Sequence, residues 1–312
     1  MTAAPADVPH GIALVDKPQG HTSHGIVAWT RKSLGTRKVG HAGTLDPMAT
    51  GLLVIGVGHA TRLLTYLVGE DKEYFATIRF GIGTSTEDAE GEIVERSVPD
   101  VVAAITRERL TEAMALLTGG IEQVPSAVSA IKIDGKRSYQ RVRDGEDVQL
   151  KARPVTIHEF ELLDIDEPEE HDGTLTLDIR VRVVCSSGTY IRALARDLGV
   201  SLGTCAHLTA LRRTRVGNMS LEDAVDTTTP LTPANLTPSS VVAWRRFPSI
   251  DLSDDEALDI WHGKRIALPA GWTPPEEKTP VAAFNPAGQL VGLVECSRTT
   301  MKSCLNFPEP LA

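Results

Sequence analysis

Apolar and polar positions change period several times along this chain, and each change marks an element. Leu175, Leu177, Ile179, Val181 and Val183 alternate with Thr176, Asp178, Arg180 and Arg182, the period-two pattern of a strand with one buried face. Residues 11–16 (GIALVD) read as a buried strand that stops at the turn sequence Lys17-Pro18-Gln19-Gly20. Thr22 or Ser23 is placed to cap a helix running to about Leu34. A second apolar strand is predicted over 52–57, a short helix over 61–68, a β-branched and aromatic strand over 72–82, and a helix over 110–117. Thr189 opens a further helix, 190–198, that ends near Gly199. Strands and helices interleave, so the class is mixed α/β (α+β). The clean alternation at 175–183 predicts at least partly antiparallel pairing with one wetted face.

The pattern changes again towards the C-terminus. Residues 227–248 are rich in Thr, Pro and Ser, carry four prolines, and read as a boundary. Beyond them Ser253-Asp254-Asp255-Glu256 forms a capping-box signature, with Gly263 after the helix it opens. Residues 281–284 and 289–295 flank Asn285-Pro286-Ala287-Gly288, a hairpin signal. A small, mostly β module of about 60 residues fits this stretch.

A chain of 312 residues can bury one large domain and a small one. With 41% hydrophobic and 23% charged residues it reads as a soluble globular protein. No apolar run approaches the roughly 20 residues that span a bilayer. The start, MTAAPADVPHG, lacks a basic stretch followed by an apolar core, so no secretory signal is expected. Cys185, Cys205, Cys296 and Cys304 form no CxxC pair and lack a His at zinc spacing. They read as reduced thiols of a cytoplasmic protein, with no metal site.

A formal charge of −9 argues against a nucleic-acid partner, but the charge is unevenly distributed. Residues 159–178 hold nine acids and no Lys or Arg, whereas 180–215 hold seven Arg against one Asp, a local +6. Residues 132–153 hold seven Lys or Arg against four acids, a local +3. Phosphate binding depends on local basic surface rather than on the sum. The plainer alternative is that the arginines form a solvated strand face.

Candidate chemistry concentrates at residues 40–58, GHAGTLDPMATGLLVIGVG. Asp46 stands before Pro47, whose ring holds it out of the helical region, so its carboxylate projects from an extended turn. Gly40, Gly43 and Gly51 let the backbone approach something bulky. An isolated Leu-Asp-Pro would be an Asx-type turn and nothing more. The longer string G-H-A-G-T-L-D-P-M-A-T-G-L-L resembles the catalytic motif of the TruB family of bacterial tRNA pseudouridine(55) synthases, in its actinobacterial form.

That resemblance implies a set of roles. Asp46 would be the nucleophile. Tyr74, in Asp71-Lys72-Glu73-Tyr74, is similar to the family tyrosine that stacks on the target base and assists a proton transfer. Arg192, in Ser187-Gly188-Thr189-Tyr190-Ile191-Arg192, matches the arginine that pairs with the catalytic aspartate, and Tyr190 a second wall of the uridine pocket. Leu211 matches a leucine packed against the nucleotide, and His41 the residue that helps extrude the base. Lys17-Pro18 matches a first motif that supports the active-site loop, with Lys17 near phosphate or the catalytic Asp. An RNA-gripping insertion over about 124–153 would use Lys132, Lys136, Arg137, Arg141 and Arg143.

The family fold implied is a curved, mixed, largely antiparallel sheet over 1–240, followed by a PUA-like module over 247–312. The implied substrate is the T-stem loop of tRNA, taken by a monomer without metal or cofactor. Turning uridine into pseudouridine needs a nucleophile, an electrostatic partner, an acid or base, and a pocket for a flipped nucleotide. Two alternatives stand beside it. One is a non-catalytic tRNA-binding or tRNA-folding protein on the same scaffold. The other is a hydrolase, which needs a second carboxylate to activate water, and none lies in the matched motifs.

Overall fold

The computed structural model describes residues 8–127, 150–269, 271–275 and 279–307, with the backbone alone of 132–133 and 136–137. Strand β1 (Gly11–Lys17) leads into helix α1 (Ser23–Leu34). Thr22 caps the helix by accepting from the Gly25 N–H, and Gly35 closes it in the left-handed region. Strands β2 (Val39–Ala42) and β3 (Thr50–Val57) then enclose the Asp46 turn. The helix expected over 61–68 divides into a 3₁₀ turn, Gly58–Arg62, and α2 (Leu64–Leu67). The Thr61 hydroxyl binds the Gly58 carbonyl at 2.8 Å and Leu63 N–H binds Ala60 at 3.0 Å, which tightens that first turn.

Next come β4 (Lys72–Phe80), the hairpin β5 (Ile82–Thr84) and β6 (Ile93–Arg96), and helices α3 (Pro99–Ala103) and α4 (Arg107–Leu116). Strand β7 (Gly119–Gln123) precedes a short pair, β8 (Lys132–Ile133) and β9 (Lys136–Arg137). Then follow β10 (Arg153–Ile165), β11 (Glu169–His171), β12 (Thr174–Cys185), α5 (Ile191–Leu202), β13 (Ala206–Val216) and β14 (Met219–Ser220). The main sheet runs β1-β3-β13-β4-β12-β10-β7, with β2, β11 and β14 on its flanks. Only the β3–β13 pairing in it is parallel, so the sheet is mixed and largely antiparallel. Bulges between Ile157 and Glu159, Leu208 and Ala210, and Arg213 and Arg215 bend the long strands and curve the sheet.

One face of this sheet carries α4 and α5. Leu110 and Met114 of α4, and Leu194 and Leu198 of α5, join Ile78, Phe80, Ile179, Val181, Val183 and Leu208 in one core cluster. Each such side chain, fully buried, contributes roughly 1.5–3 kcal/mol. Helix α5 does not stop at Gly199 but continues to Leu202, with Gly203 as its left-handed cap. A Cβ at Gly199 would sit 2.8 Å from that of Ala206, so this glycine allows close helix–strand packing rather than a helix end. Thr189 does not cap the helix either; its hydroxyl donates to the Ser186 carbonyl at 2.9 Å.

Residues 227–248 pack along β1 instead of linking loosely. Ile12 and Thr237 exchange two backbone hydrogen bonds of 2.8 Å, and Leu231 is buried among Ala13, Val15 and Val39. Helix α6 (Ser239–Arg246) ends the segment. A second sheet, ordered β15 (Ser249–Asp251), β17 (Pro280–Phe284), β18 (Leu290–Cys296), β19 (Thr300–Asn306), β16 (Arg265–Ala267), holds helix α7 (Asp254–Trp261). Ser253 and Glu256 complete the capping box of α7. No helix among the described residues is long and apolar enough to cross a membrane.

Candidate active site

The Asp46 turn is held from below at three points. Ser23 Oγ both donates to the Leu45 carbonyl and accepts from the Leu45 N–H, each at 2.9 Å. The Pro47 carbonyl accepts from the Gly20 N–H at 2.9 Å and from Lys17 Nζ at 3.2 Å. The Ala49 N–H closes the turn on the Asp46 carbonyl at 3.1 Å. Leu45, Met48 and Ala49 are buried, so the neighbours of Asp46 fix the backbone while its own side chain stays 39% exposed.

Helix α5 presents Arg192 in its first turn with a side chain only 4% exposed. Its guanidinium meets Asp46, Thr86 and Asp88. Nη2 lies 2.9 Å from Asp46 Oδ2, Nη1 donates to the Thr86 carbonyl at 2.7 Å, and Nε lies 3.5 Å from Asp88 Oδ2. Buried Asp88 also accepts from the Glu90 N–H at 3.0 Å. Glu90 is close by: burial pushes its carboxyl up, Asp88 and Asp46 push it further, and Lys17 and Arg192 pull it down. A second carboxylate, that of Asp88, thus shares Arg192 with Asp46, and it lies outside the matched motifs. It comes from the bend at 84–91, a Thr- and acid-rich run that reads as an ordinary loop.

Tyr74 is buried on β4 in the core cluster that also contains Leu45, Met48 and Leu211. Burial raises its phenol above the usual value, while the Arg213 guanidinium, hydrogen-bonded to it, pulls the other way. Arg213 is wholly buried, and its Nε donates to the Leu52 carbonyl at 2.8 Å and Nη2 to the Gly43 carbonyl at 3.1 Å. It thus ties Tyr74 to both ends of the Asp46 segment, a role invisible in its Leu-Arg-Arg-Thr context. Leu211 is buried on β13 opposite Ala76 of β4. Tyr190 stands just before α5, and its backbone is held from both sides by the buried Gln123, N–H to Oε1 at 2.9 Å and carbonyl to Nε2 at 3.1 Å. His41 is half-buried on β2, edge-on to the His24 ring at 5.5 Å.

Lys17 has no exposed surface. Its ammonium donates to the carbonyls of Pro18 at 3.1 Å, His21 at 2.7 Å and Pro47 at 3.2 Å, so it supports the loop from behind and cannot reach a phosphate in solvent. Burial lowers its pKa to about 8, with Asp46 and Glu90 acting in the opposite sense. Lys132 and Arg137 face each other across the β8–β9 pair, which also carries Lys136. Arg141 and Arg143 lie outside the described residues.

The basic run at 180–215 is not free to bind phosphate. Arg180 pairs with Asp164 and Asp166, Arg182 with Glu73, Glu159 and Glu161, Arg196 with Glu87 and Asp197, and Arg212 with Asp16. Arg192 and Arg213 are buried in the site, and Arg215 lies 3.9 Å from Glu73. Arg180 and Arg182 thus draw on the acidic run across neighbouring strands, while Arg196, Arg212 and Arg215 meet carboxylates from elsewhere in the chain. A different surface stays positive. Residues 17–62 contain six Lys or Arg and one acid, Asp46. Arg31, Lys32, Arg37, Lys38 and Arg62 are exposed, and no carboxylate pairs with them among the described residues. Lys38 and Arg62 stand by His59, whose pKa is lowered by burial and then by His10, Lys38 and Arg62.

Comparison with known proteins places the chain in a family. The N-terminal domain of TruB family pseudouridylate synthases matches residues 31–191, the tRNA pseudouridylate synthase B C-terminal domain 192–232, and the tRNA pseudouridine synthase II C-terminal region 247–308. A tRNA pseudouridine synthase B of Leifsonia xyli is 54% identical over 298 residues, 96% of each chain. One of Streptomyces griseus is 50% identical over 299 residues, 96% of this chain and 97% of the other. Among solved structures, an H/ACA RNP bound to a substrate RNA containing 2'-deoxyuridine superposes with a TM-score of 0.68 at 22% identity. That likeness covers 98% of this chain and 92% of the other, and it shows a shared fold. Family matches running from the Asp46 turn through Arg192 to the second sheet leave one conclusion: the chain belongs to the TruB family of pseudouridylate synthases.

Proposed function

We propose that this isomerase converts the T-loop uridine of tRNA, position 55, to pseudouridine, with Asp46 as the nucleophile and the uridine flipped out of the loop. The observation that carries the reading is the 2.9 Å pair between a part-exposed Asp46 and a buried Arg192. The reaction breaks the bond from the ribose to N1 of uracil and forms one to C5. The proton on C5 leaves, N1 gains one, and no atom or electron is gained or lost overall. A carboxylate paired with and aimed by a guanidinium suits covalent catalysis of this kind.

The other groups take supporting roles. Tyr74, protonated because burial disfavours its phenolate, presents a ring to the flipped base and an O–H for proton transfer. Leu211 and Tyr190 wall the pocket, and His41 fills the space the base leaves. Lys17 keeps the loop in shape from beneath. The insertion, with Lys132, Lys136, Arg137, Arg141 and Arg143, and the unpaired basic surface around Lys38 hold RNA phosphates. The chain acts as a cytoplasmic monomer, with a catalytic domain over 1–240 and a PUA-like module over 247–312 that meets tRNA beyond the T loop. The Arg192–Asp46 pair favours this reading over a scaffold that only binds tRNA.

The test is tritium release from tRNA labelled at C5 of uridine, followed by mapping of the modified position. Stoichiometric release with pseudouridine at position 55 is expected. Release mapped elsewhere, or none from this loop, contradicts the proposal.

A further inference from the structure

Arg192 is held by two groups of one short bend, the Thr86 carbonyl and the Asp88 carboxylate. The residue between them, Glu87, is neither glycine nor asparagine, yet its φ is 61°, in the left-handed region. A side chain there costs conformational energy, so contacts around it must hold it in place. Those contacts are specific. Glu87 Oε1 lies 2.6 Å from Arg196 Nη1, and Oε2 accepts from the hydroxyl of Ser126. Arg196 stands one turn after Arg192 on α5. Its Nη2 donates to the Val124 carbonyl at 2.8 Å and its Nε to Asp197 Oδ1 at 2.8 Å. The Glu87 backbone is also engaged, its N–H with Thr84 at 3.1 Å and its carbonyl with Leu208 at 3.1 Å.

Thr86, Glu87 and Asp88 therefore face α5 as a unit: the first and third hold Arg192, and the middle one holds Arg196. The segment that meets Glu87 at Ser126 and Arg196 at Val124 is the stem from which the 124–153 insertion leaves β7. Gln123 at the end of β7 fixes the backbone of Tyr190 immediately before α5. Bend, helix and stem converge on one ion pair.

We propose that the Glu87–Arg196 pair is a positioning device for the catalytic Arg192–Asp46 pair. It locks the Thr86–Asp88 bend in its left-handed form, so that Thr86 and Asp88 aim the Arg192 guanidinium, and it bonds the stem of the insertion to that same bend. Neither residue touches the reacting atoms, and both act through Arg192. The inference rests on the proposed role of Asp46.

The experiment uses the full chain and T-stem-loop RNA tritiated at C5 of uridine. Single-turnover release and RNA affinity are measured for wild type, Glu87→Gln, Arg196→Met and the double variant. Each single change should slow release roughly tenfold or more, since small misplacements at a reacting pair are costly. Affinity should stay within about twofold of wild type, because the pair serves chemistry rather than docking. The double variant should be no slower than the worse single one, because the two residues act as one unit. Glu87→Gly accepts the backbone conformation without strain and lacks the carboxylate. It should melt no lower than Glu87→Gln and show the same slowed release. Wild-type rates in the single variants, losses that multiply in the double variant, or a loss confined to affinity would each overturn the proposal. Failure of the wild-type enzyme to release tritium from this RNA would instead remove the Asp46 reading beneath it.

Discussion

Three of the residues that matter most here are buried cations, and what each can do depends on what surrounds its charge. Arg192 faces two carboxylates, Arg213 faces carbonyls and a phenol, and Lys17 donates its hydrogen bonds to carbonyls. For Lys17 the cost of burial exceeds the help from Asp46 and Glu90, so its pKa falls to about 8. Below that value the ammonium has three N–H donors for three carbonyls. Above it one proton is lost, the amine keeps two donors, and one anchor of the loop, the Pro47 carbonyl among them, goes unmet. The rate of isomerisation should therefore fall as pH rises through about 8. Lys17→Met, which has no proton to lose there, should be slower at neutral pH and lack that alkaline limb. Lys72 has a pKa lowered to the same value, by burial and Arg213, so Lys72→Met with the limb intact completes the assignment. Rate–pH profiles of the three proteins decide it. A limb that persists in Lys17→Met would detach Lys17 from it.

At the level of elements, legibility followed locality. Strand β12 was readable because its apolar and polar positions alternate cleanly, and α1 because Thr22 and Gly35 bracket it. The capping box of α7 and the Asn285–Gly288 turn were readable for the same reason. Strand β10 was not, because Glu159, Glu161 and Asp164 break its apolar pattern; their partners are arginines of β12. Strand β13 hides behind Leu-Arg-Arg-Thr-Arg, whose central Arg213 is buried, against the usual preference of that residue for the surface. The parallel pairing of β3 with β13 is non-local, and its one trace in the sequence is Gly51. With φ of 101° and a hypothetical Cβ only 2.2 Å from the Arg213 carbonyl oxygen, that position admits no side chain. In the site, Asp46, Tyr74 and Arg192 came from matched strings, whereas Asp88, Glu87 and Gln123 sit in unremarkable loop and strand-end sequence. Only chain folding shows that Asp88 meets Arg192, Glu87 meets Arg196 and Gln123 holds the Tyr190 backbone.

For the whole molecule, the net charge of −9 conceals a division of labour. Most arginines over 180–215 are matched by carboxylates drawn from several parts of the chain, and uncompensated positive charge gathers around α1, β2 and the 3₁₀ turn that follows β3. That surface adjoins the Asp46 turn through β2, and the proposed function assigns it the phosphates of the bound RNA. Replacing Lys32, Arg37, Lys38 and Arg62 with Ala should weaken tRNA binding and flatten its salt dependence. The log–log slope should drop by roughly 0.7–0.9 for each phosphate no longer neutralised. Arg180→Ala, whose charge is already matched by Asp164 and Asp166, should leave the slope unchanged. A salt titration that shows the reverse would place the RNA elsewhere. The central claim, that this surface delivers a tRNA uridine to Asp46, has one most direct measurement: single-turnover tritium release by Asp46→Asn beside wild type, with tRNA affinity measured on both. Release should be abolished in the variant while affinity stays nearly that of wild type, since binding is distributed over phosphates. An Asp46→Asn enzyme that keeps even about a tenth of the wild-type rate would contradict it.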